Sequence, residues 1–164
     1  MLTASVEPIL NAREALALEF ERLNKLVRDQ ARSDHVCRRL MTIPGVGAVV
    51  ALSYMTAVDD PARFAKSKAV GPALGLAPRL YQSGDNDRPG AITKTGDARA
   101  RVALFEAAHV MMRRVASWFP LKAWAMRVAT RRGAKRAKVA LARRLAVIMH
   151  RMWIDGSDLQ AAPA

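Results

Sequence analysis

Residues 40–51 of this chain read Leu-Met-Thr-Ile-Pro-Gly-Val-Gly-Ala-Val-Val-Ala. Pro44 stops a helix, whereas Gly45 and Gly47 allow the backbone to turn tightly. The pattern therefore predicts one helix that ends near Met41 and a second, apolar helix that begins near Ala48.

This turn is a candidate phosphate-binding site of the helix-hairpin-helix type. The first N–H groups of a helix have no partner within the helix, and the helix dipole at that end also favours an anion. The alternative is an ordinary corner between two core helices. The candidate residues are Pro44, Gly45, Val46 and Gly47.

The charge of the chain indicates a polyanionic partner. Its 164 residues include 27 Lys and Arg against 14 Asp and Glu, a formal net charge of +13. Residues 97–164 hold 14 of the basic and 4 of the acidic side chains. A charge of about 2–8 is enough for solubility of a small domain, and basic side chains displace counterions from phosphates. We therefore expect DNA to be bound mainly by the C-terminal part.

Several other classes of site are disfavoured by composition. The single cysteine, Cys37, excludes an internal disulfide, as is typical of a reducing cytosol. It is predicted to be a buried thiol. His35, His109 and His150 lack the spacing of metal ligands, so no metal site is predicted in this chain. No signal peptide is visible, and the longest apolar run, residues 48–58, is too short to span a bilayer. A cytoplasmic protein without a membrane partner is expected.

Residues 5–40 are predicted to form one long helix. Ile9, Leu16 and Leu23 repeat every seven residues, and charged residues occupy the other faces. Pro8 is expected in the first turn. Two interpretations stay open: a coiled-coil arm that pairs with another chain or domain, or an amphipathic helix that packs on its own core.

A short helix and then an irregular segment follow residues 44–47, the central turn of the chain. Asp59 or Asp60 is expected to cap the short helix, with Pro61 at its first position. Residues 80–96 are rich in glycine, proline and other turn formers. They are predicted to be a loop or a short hairpin that pairs residues 80–82 with residues 91–93.

Three further helices are predicted beyond this loop. Their expected spans are Asp97 to Ser117, Pro120 to Arg132 and, after Gly133, residues 134–154. The last helix is basic, with an apolar face of Leu141, Leu145, Ile148 and Met152, and such a helix also suits an anionic membrane surface. Trp118, Trp124 and Trp153 are expected in the core rather than as base-stacking platforms.

Five motifs follow one another in residues 38–157. They are Ile43–Gly47, Gly75–Arg79, Tyr81–Gly84, the pattern Arg88-x-Gly90-x-Ile92-Thr93-Lys94-x-Gly96, and Gly133-x-Lys135-x-Ala137. In this order and spacing, the chain resembles the C-terminal domain of the insertion-sequence transposases of the IS110/IS116/IS902 family.

The resemblance implies a DNA transposase. Members join an N-terminal RuvC-like domain with four acidic metal ligands, through a coiled-coil helix, to a small domain that contains a serine. Together these domains cut and rejoin DNA under the guidance of an RNA, and the serine attacks the scissile phosphate. Its counterpart here is Ser83. The resemblance further implies that this chain is a fragment and that Mg²⁺ belongs on the acidic domain, which it lacks.

Cations near Ser83 suit this chemistry, because serine needs a proton acceptor and a neutralised phosphate. The candidates within the loop are Arg79, Arg88 and Lys94, and those on the later helices are Arg99, Arg101, Lys135, Arg136 and Lys138. Asp85 and Asp87 stand where the family usually has a small residue and a lysine. Two such carboxylates would repel a phosphate, unless they pair with an arginine or one of them accepts the serine proton.

The sequence thus predicts a mainly α-helical protein with one irregular loop or short β-hairpin. Its expected parts are a helical arm (1–40), a transposase C-terminal domain (41–157) and a tail (158–164). Two other functions stay open. One is a non-catalytic DNA-binding module in which Ser83 is a plain turn residue. The other is an assembly subunit whose arm joins a homo-oligomer or a full-length transposase.

Overall fold

The computed structural model describes residues 2–83, 86–116 and 119–159, with side chains for residues 6–79, 90–116 and 119–159. The protein is mainly α-helical, as predicted, with a two-stranded antiparallel sheet. The described helices are α1 (Leu2–Ser33), α2 (His35–Leu40), α3 (Ala48–Val58), α4 (Val70–Ala73), α5 (Ala98–Arg113), α6 (Pro120–Arg132) and α7 (Ala134–Asp155). Single 3₁₀ turns lie at Pro61–Arg63 and Ser67–Ala69, and the strands are β1 (Pro78–Ser83) and β2 (Asn86–Ile92).

The prediction of a single helix over residues 5–40 is wrong, because the chain forms two helices that are separated at Asp34. Asp34 has extended backbone angles (φ −83°, ψ 126°), and its side chain accepts a hydrogen bond from the Cys37 N–H at 2.8 Å. Aspartate is a favourable N-cap, so the chain begins a new helix there. Pro8 lies inside α1 rather than in its first turn, because that helix begins at Leu2.

Most of α1 extends away from the core. Ile9, Leu16 and Leu23 are 68%, 72% and 59% exposed, and Phe20 is 62% exposed. Contact with the rest of the chain begins near residue 24, and Ala31 is fully buried. The interpretation of this helix as one packed along its own core is therefore wrong for residues 6–23.

Three helices build the core around α5. It packs between α3 and α7, and α6 lies against α7. Leu104, Met111, Leu141 and Leu145 have no exposed surface. The fully buried Tyr54 of α3 donates its hydroxyl hydrogen to the Ala146 carbonyl of α7 at 2.8 Å. The predicted apolar face of α7 is thereby confirmed as a core face.

The predicted caps and helix starts after residue 58 are mostly confirmed. The side chain of Asp60 accepts from the Ala62 N–H, so Asp60 caps the 3₁₀ turn at Pro61. The side chain of Asp97 accepts from the Ala100 N–H at 2.7 Å and caps α5. One end differs from the prediction, since α5 stops at Arg113 instead of continuing to residue 117.

The hairpin is confirmed, with a different register and longer strands. Leu80 pairs with Pro89, Tyr81 with Arg88 and Gln82 with Asp87, whereas residues 91–93 were the expected partners. An irregularity between Pro78 and Leu80 shifts the register. Proline and glycine indicated a loop at residues 89 and 90. A two-stranded sheet has open edges, however, and an edge strand tolerates both residues.

Candidate nucleic-acid interface

Ser83 lies at the far end of the hairpin. It is the last residue of β1, and its backbone is paired with that of Asn86. The hairpin therefore holds the backbone of Ser83 at its tip. The side chains of residues 80–89 lie outside the described part, and so does the predicted meeting of Ser83 with Arg88, Asp85 and Asp87.

Two of the predicted cations lie at the base of the hairpin. Arg79 is exposed on β1, and its guanidinium donates to the Thr93 carbonyl at 3.5 Å. Lys94 is exposed and has a positive φ of 59°, which is unusual for a residue with a side chain. Its N–H donates to the Gly75 carbonyl at 3.1 Å. The hairpin base is thus a hydrogen-bonded, basic unit.

Arg101 also reaches this base, in a role that the sequence did not predict. Its guanidinium donates to the Leu74 carbonyl at 3.2 Å and to the Thr95 carbonyl at 2.9 Å. The side chain is half-buried. At least some of the hydrogen bonds that Arg101 can donate are therefore made within the protein.

The central turn contributes to the core as well as to the surface. Val46 is 5% exposed, and its N–H donates to the Ile43 carbonyl. Gly45 has φ +90°, and a Cβ built on it would lie 2.9 Å from the Ala107 carbonyl oxygen. Gly45 is therefore required for close packing against α5. Of the four predicted phosphate contacts, Gly47 is the exposed one; Pro44 and Gly45 are half-buried.

Gly47 leaves the N-terminus of α3 open. It is the N-cap residue, it provides no side-chain cap, and a Cβ built on it would meet nothing within 4 Å. A cleft of about 400 Å³ beside it is lined by α3 and the end of α1, including Arg28 and Arg32. These two exposed arginines were not predicted as contacts, although their spacing of four residues on a helix indicates that they share a face.

A second basic region lies at the corner between α6 and α7. Residues 131–136 are all exposed, and four of them are Arg131, Arg132, Lys135 and Arg136. Gly133 is the N-cap of α7 and, like Gly47, provides no side-chain cap. Lys135 and Arg136 were predicted as contacts. Arg131 and Arg132 were missed, although the run Arg-Arg-Gly-Ala-Lys-Arg signals them.

Lys138 and Arg99 have different surroundings. Lys138 is half-buried; its Nζ donates to Nδ1 of His109 at 2.9 Å and lies 5.6 Å from the centre of the Phe105 ring. It therefore joins α7 to α5. Arg99 is exposed in the first turn of α5 and lines a groove with residues of α3, among them Val49.

The start of α7 and the hairpin base lie at opposite ends of α5, whereas the start of α3 also adjoins the N-terminal end of α5, where Val49 lines a groove with Arg99. Gly45 approaches Ala107 and Met111, and Lys138 contacts His109, so both the turn and the start of α7 adjoin the C-terminal half of α5. The hairpin base contacts Arg101 in its first turns. At 1.5 Å per residue, positions 97 and 109 on this helix are about 18 Å apart.

Trp124 and Trp153 are partly buried and are not free stacking platforms. Trp124 and Trp153 pack against the core, and the Arg144 guanidinium lies 4.7 Å from the Trp124 ring centre. Trp153 contacts Tyr54, with ring centroids 6.5 Å apart. The prediction of a core position holds for these two, whereas Trp118 lies outside the described residues.

Cys37 is predicted to be unreactive in the folded chain. Its side chain has no exposed surface, and burial, with a smaller contribution from the Asp34 carboxylate, raises the pKa of the thiol from 9.0 to about 11. At pH 8 about one molecule in a thousand would then be thiolate, which is the reactive form. We expect alkylation at pH 8 to be at least about 100-fold slower than in the unfolded chain and to accelerate between pH 8 and 10. Equal rates for the folded and unfolded chain would contradict this assignment.

Within the described ranges, no group of three or more His, Cys, Asp or Glu side chains is arranged to hold a metal ion. Among the helices of those same ranges, none combines the length and the apolar character needed to cross a bilayer.

Helix N-termini beside exposed cations, as at Gly47 and Gly133, are favourable surroundings for an anion. Comparison with known sequences gives the family. The profile described as "Transposase IS116/IS110/IS902 family" matches residues 37–123, which is more than half of the chain. The chain therefore belongs to the IS116/IS110/IS902 transposase family. The matched segment includes the central turn and the hairpin and ends before the corner between α6 and α7.

Curated relatives agree with this membership. The transposase for insertion sequence element IS1111A of Coxiella burnetii is 34% identical over 142 residues, which are 86% of this chain and 38% of the relative. The transposase for element IS1328 of Yersinia enterocolitica is 31% identical over 100 residues, 61% of this chain and 30% of the relative. A probable family 20 transposase of Pseudomonas aeruginosa is 28% identical over 137 residues, 83% of this chain and 40% of that protein. The chain thus spans at most two fifths of the length of these relatives.

Proposed function

We propose that this chain is the DNA-binding C-terminal portion of a transposase and that Ser83 is the nucleophile of its strand-exchange reaction. The observation that supports this most is the position of Ser83 at the tip of a hairpin with basic residues at its base, within the segment that the family profile matches. Loops and hairpins on a rigid scaffold are common locations for reactive residues.

The proposed reaction is a transesterification. Ser83 Oγ loses its proton and forms a bond to phosphorus, the bond from phosphorus to one DNA oxygen breaks, and that oxygen takes up a proton. Attack by a DNA hydroxyl on the same phosphorus reverses these changes and rejoins the strand, so no nucleotide cofactor is needed. Arg79 and Lys94 would neutralise the phosphate oxygens. Mg²⁺ on an acidic domain outside this chain would supply further positive charge at the phosphate.

The N-termini of α3 and α7 are proposed to hold the DNA backbone. The α3 N-terminus presents backbone N–H groups beside Arg28 and Arg32, and the α7 N-terminus presents them beside Lys135 and Arg136. Cations in the first turn of α7 are opposed by the helix dipole, at about 0.3–1 kcal/mol each. A bound phosphate would offset this repulsion, because its negative charge interacts favourably with both the helix N-terminus and the cations. A guide RNA, as a second polyanion, would use the same kinds of contact.

Salt dependence tests this binding region. We expect the double variant Lys135→Ala/Arg136→Ala to reduce the slope of log K against log salt by about 1.8, because each phosphate contact contributes about 0.9. The matched control is Arg13→Ala/Lys25→Ala, which removes two exposed cations from α1. Fluorescence anisotropy with duplex DNA measures both slopes. Equal reductions in the two variants would mean that net charge alone drives binding.

Covalent capture tests the serine. This chain replaces the matching segment of the Coxiella burnetii relative, and the chimera is incubated with Mg²⁺ and a nicked suicide substrate. The unmodified relative is the positive control. A denaturation-resistant protein–DNA adduct in the chimera supports the enzyme. Binding without an adduct, when the control reacts, leaves the non-catalytic DNA-binding module as the function.

The exposed arm supports a role in assembly, either with a second copy or with a full-length transposase. The apolar side chains of α1 extend along a helix of 32 residues, about 48 Å in length. Removal of residues 2–23 is expected to abolish self-association, because these side chains contribute the proposed coiled-coil seam. Light scattering gives the mass of each protein, and anisotropy checks that salt-sensitive DNA binding survives. Unchanged association of the truncated chain would refute the assembly role.

A further inference from the structure

The two chain segments that lead into and out of the hairpin cross each other without room for a side chain. Gly75 and Gly96 both have positive φ, +70° and +72°. A Cβ on Gly75 would lie 2.2 Å from the Thr95 carbonyl oxygen, and a Cβ on Gly96 would lie 2.0 Å from that of Ala73. The hydrogen bonds from Thr93 N–H to Ala77 and from Lys94 N–H to Gly75 connect the same segments. The crossing is therefore a backbone-to-backbone contact.

Arg101 bridges this crossing from α5. Its Nη1 donates to a carbonyl on each segment, Leu74 on the entering side and Thr95 on the leaving side. One turn earlier Asp97 caps α5, and the neighbouring Ala100 and Leu104 are fully buried, so the helix under Arg101 is anchored in the core. A charged donor that is shared by two carbonyls is a strong and directional contact. It joins the rigid helix to both arms of the hairpin.

The hairpin depends on this base for its orientation. In the described part, the main packing partner of each strand is the other strand. Five residue steps separate Pro78 from Ser83, about 17 Å at 3.3 Å per residue, so a tilt of 10° at the base would move the tip by about 3 Å. A displacement of about 1 Å is enough to impair a reaction that requires aligned atoms. Small changes at the base are thus amplified at Ser83.

We propose that Arg101 is a positioning residue that fixes the orientation of the Ser83 hairpin, rather than a DNA ligand. This inference rests on the proposed role of Ser83 for its catalytic consequence, whereas its structural part stands independently. The backbone of Lys94 supports this proposal. A non-glycine residue with φ 59° keeps that conformation only where its neighbours impose it, so the hairpin base is constrained.

The test compares Arg101→Lys, which keeps the charge but replaces the planar guanidinium by a shorter ammonium group, with Arg101→Ala and with Arg113→Ala on the same helix. Amide hydrogen exchange at Thr93 and Lys94 is measured in this chain. We expect exchange at least 10-fold faster in both Arg101 variants, with unchanged exchange in α7, and wild-type exchange in Arg113→Ala. In the chimera, Arg101→Lys is expected to reduce adduct formation at least 10-fold while DNA affinity stays within twofold.

Each result has a distinct meaning. Unchanged exchange at Thr93 and Lys94 in both Arg101 variants would overturn the proposal. A second pair of results would also overturn the proposal: a normal adduct rate in Arg101→Lys and a salt slope reduced by about 0.9 in Arg101→Ala. That pair is expected of a residue that binds a phosphate. Faster exchange in the variants, together with no adduct from the wild-type chimera, would support the positioning of the hairpin by Arg101 and count against Ser83 as the nucleophile.

Discussion

Ser83→Ala is expected to reduce formation of the covalent DNA adduct by at least about 1,000-fold, because loss of a nucleophilic serine removes the covalent route altogether. Affinity for DNA is expected to stay within twofold, since Ser83 makes none of the proposed contacts with the DNA backbone. Adduct yield on denaturing gels and anisotropy on the same preparations give the two quantities.

Ser33→Ala is the matched control for this variant. Ser33 is exposed at the end of α1, and its hydroxyl hydrogen bonds to the Gln30 carbonyl of its own helix, so its loss leaves the hairpin intact. The control is expected to form adduct at the wild-type rate. Undiminished adduct in Ser83→Ala would assign the nucleophile to another residue. A parallel loss of DNA affinity would mean that the variant disturbs binding rather than chemistry.

Among the substitutions proposed in this chain, Gly96→Ala is expected to lower the free energy of unfolding most. The new Cβ would lie 2.0 Å from the Ala73 carbonyl oxygen, a backbone atom that cannot move aside cheaply. A left-handed conformation costs a non-glycine residue about 1–2 kcal/mol, and overpacking adds typically 1–3 kcal/mol. We expect the free energy of unfolding to fall by about 3 kcal/mol, which lowers Tm by roughly 6–12 °C in a chain of this size.

Gly47→Ser separates this effect from the loss of any glycine. Gly47 has φ −99° and open space around the position of a Cβ. Serine is also a favourable N-cap, so stability is expected to be unchanged or slightly higher. Calorimetry or thermal circular dichroism measures both variants. A Gly96→Ala protein as stable as the wild type would show that the crossing at the hairpin base is loose.

Much of the fold was predictable because its signals are local. Asp97 as a cap, Pro120 at the first position of a helix and Gly133 at a helix break each follow from the conformational limits of single residues. The apolar face of α7 follows from its 3.6-residue period. Asp34 was missed because a helical period of apolar residues continues through it, whereas the break depends on one capping hydrogen bond.

The sequence predicted which residues form the candidate site, but it predicted their spatial arrangement only in part. The motif order placed Ser83, Arg79 and Lys94 in one segment, and β1 and β2 bring the backbone of that segment into a hairpin. The roles of Arg101 and Lys138 depend on contacts with residues 27 and 29 positions away in sequence. The local sequence does not indicate whether a cationic side chain faces solvent or the protein. The roles of these two cations therefore follow only from the tertiary contacts.

The peptide that holds the trapped DNA gives the most direct test of the proposed mechanism. Trypsin cleaves after Arg79 and Lys94 but not between Arg88 and Pro89, so Ser83 lies in the peptide of residues 80–94, where it is the only serine. After nuclease trimming of the adduct, fragmentation by mass spectrometry locates the remaining nucleotide phosphate. We predict that it is attached to Ser83. Attachment to Tyr81, to Thr93 or to any other peptide would contradict the assignment of Ser83 as the nucleophile.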